Sequence, residues 1–196
     1  MHSRAEQPSI CSSATCRACP SISTSPICRS HRFADLYAGK IVAALDRQHP
    51  RDLFDIRDLL ANEGIDDALR SAFIVYLLSH NRPMAEILAP TRKPVTEEFQ
   101  RGFAGMTTQP VTIDELVAAR EKLIASIAGK VLEPHRRFLL SFKRGEPDWS
   151  LLRIPGVSEL PAVRWRQQNL DKLTSDERIR LVLRLENVFA QASAAE

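Results

Sequence analysis

Charged residues of both signs stand between apolar ones in the stretch Leu36 to Leu60, LYAGKIVAALDRQHPRDLFDIRDLL, among them Lys40, Asp46, Arg47, Arg51, Asp52, Asp55 and Asp58. Two kinds of chemistry use such a mixture. In a nucleotide site a lysine and arginines neutralise phosphates while a carboxylate orients a ligand or a metal. On a solvated helical face the same residues form ordinary, individually weak ion pairs. Spacing alone does not decide between them.

Helices must position these groups. Leu36, Ala43, Ala44 and Leu45 recur at three-to-four spacing, and Lys40 and Arg47 fall two turns apart, almost on one line of a helix. Pro50 lacks a backbone donor and biases His49 away from helical angles, so one helix should stop near Gln48 and another start around Pro50. In the second, Leu53, Phe54, Ile56, Leu59 and Leu60 face a core, and Arg51 and Asp55 are i and i+4 neighbours. The expected unit is helix, kink, helix, with mixed charges converging on one side.

The segment KIVAALDRQHPRDLFD resembles the lysine-to-aspartate signature of the AbiEii family of nucleotidyltransferase toxins, the toxin half of type IV abortive-infection toxin–antitoxin pairs. The likeness continues through RPMAEIL, GFAGM, RRFLLSFKRGEPDW and LPAVRWRQQNL, roughly residues 33 to 190. It implies that Lys40 and Asp55 are catalytic residues of a nucleotide site, with Lys40, Arg47, Arg51 and Asp52 binding the nucleotide. It also implies a nucleoside triphosphate and Mg2+ as substrate and cofactor, tRNA as an acceptor in some branches, and an antitoxin acting indirectly. Members of that family carry a Gly-Ser turn and an Asp-x-Asp before the lysine. Here no glycine precedes Gly39 and no Asp-x-Asp occurs anywhere, so the metal-binding carboxylates are absent from this sequence. The resemblance therefore implies an N-terminally truncated, catalytically incomplete member, with the N-terminal sheet core largely missing.

Composition bounds the rest. At 196 residues and 44% hydrophobic content the chain can bury a real core, and a net charge of +3 is too small to demand nucleic acid. No apolar run approaches a membrane span, and a cytoplasmic protein is expected. Residues 1 to 31 differ in kind: they are rich in Ser, Cys and Pro, show no period, and hold all four cysteines. Cys16 and Cys19 could form half of a zinc site completed by Cys11, Cys28 or His31, but a disordered tail of reduced thiols is the simpler expectation. The domain proper should run from 32 to 192.

Beyond the central unit the chain reads as helix after helix, a mostly α fold. Asp66 or Asp67 caps one, Thr112 with Glu115 and Thr174 with Glu177 form capping boxes, and Leu116, Ala119, Leu123 and Ile127 make an apolar stripe. Ile179, Val182, Leu183 and Phe189 should face inward along the last helix. His49 and His80 lack a partner at ligand spacing and read as caps or surface residues. His135, Arg136, Arg137, Lys143 and Arg144 form the densest basic cluster, either an RNA contact or a solvated face. Trp165 lies between Arg164 and Arg166; a buried indole with arginines extending along it is favoured over a base-stacking platform. Three functions remain open: nucleotidyl transfer, a non-catalytic nucleotide- or RNA-binding remnant, and a structural or partner-dependent fragment.

Overall fold

The computed structural model describes residues 26–129 and 131–194, so the Cys11, Cys16 and Cys19 candidate and most of the expected tail lie outside the described residues. Among the described residues nine α-helices follow one another: α1 (Pro26–Asp46), α2 (Pro50–Asn62), α3 (Asp67–Ser79), α4 (Met84–Leu88), α5 (Thr96–Gly102), α6 (Ile113–Ile124), α7 (Glu133–Arg144), α8 (Pro161–Asp171) and α9 (Ser175–Ala194). No strand occurs among the described residues. The first helix begins at Pro26, inside the segment expected to be tail.

Local chemistry explains the helix ends. The Asp66 side chain accepts from the Leu69 backbone at 2.8 Å to start α3, and both capping boxes form, at Thr112 with Glu115 and at Thr174 with Glu177. Gly145 ends α7 at φ 93, a left-handed value that an L side chain resists. Immediately after α6 the backbone widens into a π-helical turn, Ala125–Gly129, and the Arg70 guanidinium donates to the Ser126 carbonyl there at 2.9 Å.

The core is assembled from α1 against α3, α2 against α6 and α7 against α9. Gly39 permits the first of these to close, because a Cβ there would stand 3.2 Å from the Tyr76 ring. The buried stripe of α1 is Ala34, Ala38, Ile41, Val42, Ala44 and Leu45. Leu36, expected in that stripe, is 59% exposed. At about 100° per residue Leu36 lies on the far side of the helix from Ala38 and Leu45, so burying those turns it to solvent. The last helix is corrected in the same way: Val182, Leu185 and Phe189 are buried, but Ile179 and Leu183 are 56% and 52% exposed. A helix touched mainly on one side buries a narrower stripe than its sequence offers.

The expectation at Trp165 is reversed. The indole is 59% exposed, while Arg166 is half-buried and donates to the carbonyls of Leu77, Leu78, His80 and Arg82. Its guanidinium thus satisfies the end of α3, whose last carbonyls have no partner within the helix. A five-donor fork suits several converging carbonyls; the single indole N–H does not.

Candidate functional site

The kink forms where expected. Gln48 takes a left-handed φ of 55, the His49 ring accepts from the Arg51 backbone as the N-cap of α2, and Pro50 opens that helix. The two helices then face each other through two ion pairs: Lys40 Nζ to Asp55 Oδ2 at 2.8 Å and Arg47 Nη2 to Asp52 Oδ1 at 3.0 Å. Lys40 and Arg47 are separated by about 10 Å along the helix axis, so the pairs are successive rungs between α1 and α2. Asp55 is thus taken by Lys40 from the opposite helix, and Arg51 turns away from it to donate to the Met106 sulfur at 3.4 Å.

An open groove of about 940 Å³ lies beyond the second rung, lined by Arg47, Gln48, His49, Arg51, Asp52, Lys93, Pro94, Thr96, Glu97 and Glu98. Its volume suits a ligand of nucleotide size. Arg47, Arg51 and Asp52 therefore converge on one concavity, whereas Lys40 and Asp55 form the neighbouring rung and do not line it. The charge is divided: Arg47, Arg51 and Lys93 come from the kink and the loop after α4, and Glu97 and Glu98 from the first turn of α5. An anionic ligand would be held on the first side and a hydrogen-bond donor on the second. Asp52 keeps one oxygen on Arg47 and buries the other without a hydrogen-bond partner. Its place in the first turn of α2 eases that burial, since the helix N-terminus favours negative charge.

Sequence reading missed three residues here. Gln48 is 3% exposed; its amide donates to the Thr91 carbonyl at 2.8 Å and its oxygen accepts from the Lys93 backbone at 2.9 Å. Arg120, 7% exposed, donates to that same Gln48 oxygen and to the Lys93 carbonyl. Together they fasten the loop carrying Lys93 to the kink. Lys93 Nζ in turn donates to the Asp46 carbonyl at 2.7 Å, at the end of α1. A readable signal existed for Arg120, a charge one turn from Leu116 on the apolar stripe of α6. None existed for Gln48, whose partners are more than forty residues away.

On the other side of Gln48 lies a smaller pocket of about 240 Å³, but its arginines are already engaged. Arg82 pairs with Asp46 and Glu86, and Arg184 with Glu86 at 3.0 Å. His80 stands 3.6 Å from Asp46, a surface partner as expected for it.

The basic cluster of α7 does not form one face. His135 and Lys143 are each 6% exposed, the Arg136 guanidinium lies 5.0 Å over the Phe189 ring, and Arg144 pairs with Glu186. Lys143 occupies the same stripe as Phe138, Leu139 and Phe142, and burial, aided by the nearby Arg166 charge, lowers its pKa to about 8. Burial likewise lowers that of His135, whose Nε2 lies 3.4 Å from the Ser71 hydroxyl. Sequence adjacency had grouped cations that the helix sends in different directions, which leaves an RNA backbone no continuous basic surface on α7.

Among the described residues no three His, Cys, Asp or Glu side chains are placed to hold a metal ion, and Asp52 and Asp55 are each committed to a cation. These groups do not fit a resident Mg2+. No helix among the described residues is long and apolar enough to cross a membrane.

A family model described as nucleotidyl transferase AbiEii toxin, type IV TA system, matches residues 3–169. That span starts earlier than the resemblance over residues 33 to 190 and stops before α9. No curated protein and no solved structure matches the chain.

Proposed function

Because the chain belongs to the AbiEii family of nucleotidyltransferase toxins of type IV toxin–antitoxin systems, we propose that its kinked helix pair binds the phosphates of a nucleoside triphosphate. The carrying observation is the convergence of Arg47, Arg51 and Lys93 on a groove of about 940 Å³ beside the Lys40–Asp55 pair. Arg47 and Arg51 offer planar donors to phosphate oxygens, and Lys93 a compact charge in the same groove. Binding requires Arg47 to exchange Asp52 for phosphate, so the rung opens as the ligand enters. Lys40 extends the row of cations along α1, and Asp55 holds its ammonium in place. Glu97 and Glu98 face the end of the ligand that carries hydroxyl or amine donors.

In catalysis by this family class, a nucleotide passes from the triphosphate to an RNA or protein acceptor, in the cytoplasm, and an antitoxin opposes the outcome without occupying the site. We propose that the present chain carries the binding part of that task and not the transfer, because its sequence has no Asp-x-Asp and Asp52 and Asp55 are each paired with a cation. Titration with ATP and magnesium should show saturable binding that Arg47→Met with Arg51→Met abolishes. Labelled ATP mixed with the protein and bulk tRNA should give no label transfer. Absence of binding would remove the nucleotide reading, and transfer abolished by Lys40→Ala would show the chain to be a complete enzyme.

A further inference from the structure

Among the described residues Arg51 meets no carboxylate within ion-pair distance, and its guanidinium donates to the Met106 sulfur, 3.4 Å from Nη2. Met106 stands between α5 and α6 and is 60% exposed, whereas Met84 is fully buried. A thioether is a weak acceptor, so this contact leaves the guanidinium nearly free to turn to a phosphate. Oxidation would convert the same side chain into a polar one with an oxygen acceptor.

We propose that Met106 is an oxidation-sensing modification site that controls the availability of Arg51 to the groove. The oxidant is a peroxide. One peroxide oxygen is transferred to Sδ, the O–O bond breaks as the S–O bond forms, and with hydrogen peroxide the other product is water; the sulfur loses two electrons and the peroxide gains them. The new sulfoxide oxygen accepts from the Arg51 guanidinium and holds it on the Met106 side. The exposure of Met106 admits the oxidant, and the neighbouring cation favours the polar S–O bond. Reduction of the sulfoxide by a dithiol, which becomes a disulfide as the oxygen leaves as water, releases Arg51. The inference rests on the nucleotide reading of the groove.

The test oxidises the full chain with hydrogen peroxide, maps the modified methionines by peptide mass spectrometry, and titrates both forms with ATP and magnesium. Oxidation at Met106 should precede that at Met84. Affinity should fall roughly tenfold, as expected for one charge-assisted hydrogen bond withheld from the ligand, and methionine sulfoxide reductase should restore it. Met106→Leu should keep the affinity of the reduced protein and ignore peroxide. Equal affinity of the two wild-type forms, or the same loss in Met106→Leu, overturns the proposal. Should neither form bind ATP, the nucleotide reading has failed, and the latch is judged by the NMR signal of the Arg51 guanidinium, assigned with Arg51→Lys. A shift of that signal on oxidation supports it, and an unmoved signal overturns it.

Discussion

Replacing Lys40 by methionine separates a structural ion pair from a ligand contact, because the two give effects of different size in different assays. Lys40 Nζ and Asp55 Oδ2 are 2.8 Å apart, and the side chains remain 32% and 39% exposed. At that exposure water competes for both charges, and such a pair contributes about 0.2–1 kcal/mol. Methionine retains the side-chain stem, which packs near the Tyr37 ring that the ammonium overlies at 5.2 Å, so little packing is lost. Urea unfolding should therefore show a loss of about 1 kcal/mol or less, with a fall in Tm of roughly 2–4 °C for each kcal/mol. A double-mutant cycle with Asp55→Asn should return a coupling in the same small range. An ammonium that also meets a phosphate loses a charge-assisted hydrogen bond of about 1.5–3 kcal/mol in the bound state, a weakening of ATP affinity of roughly tenfold to a hundredfold. Calorimetric titration of wild type and Lys40→Met with ATP and magnesium measures it. Unchanged affinity alongside the small stability loss would refute the reasoning and leave the Lys40–Asp55 pair as a rung between two helices.

Gln48→Ala should cost about 2–4 kcal/mol in urea unfolding, since it strands the Lys93 N–H, the Thr91 carbonyl and one donor of the buried Arg120; a loss below about 1 kcal/mol would show that the kink does not depend on this clamp. Lys143 sheds its proton at about 8 in the folded chain against an ordinary 10.5, so between those values the unfolded chain binds more protons and stability rises with pH. Relative to Lys143→Met, the wild type should gain on the order of 2–3 kcal/mol from pH 7 to 10, and parallel pH profiles would show that the amine is not desolvated. Arg166→Met should destabilise by about 2–4 kcal/mol by orphaning carbonyls at the end of α3, whereas Trp165→Ala should change stability by less than about 1 kcal/mol; comparable losses in thermal melts would contradict the buried guanidinium and exposed indole.

The sequence by itself determined the elements and the chemistry available to them. Proline at position 50, side-chain caps at Asp66, Thr112 and Thr174, and three-to-four apolar spacing act within one or two turns, so the helices and the kink at Gln48 were legible. The association of Lys40 with Asp55 came from the resemblance, whereas helical spacing alone set Asp55 beside Arg51, which turns to Met106 instead. Tertiary packing alone decided which side of each helix met a neighbour. It turned Leu36, Ile179 and Leu183 to solvent, drew Arg166 rather than Trp165 inward, and scattered the cations of α7. It also decided that Gln48 and Arg120 would bind the loop bearing Lys93 across more than twenty-five residues of chain. Side-chain burial and converging polar contacts depend on partners distant in sequence, and periodicity within a helix carries no information about where those partners stand.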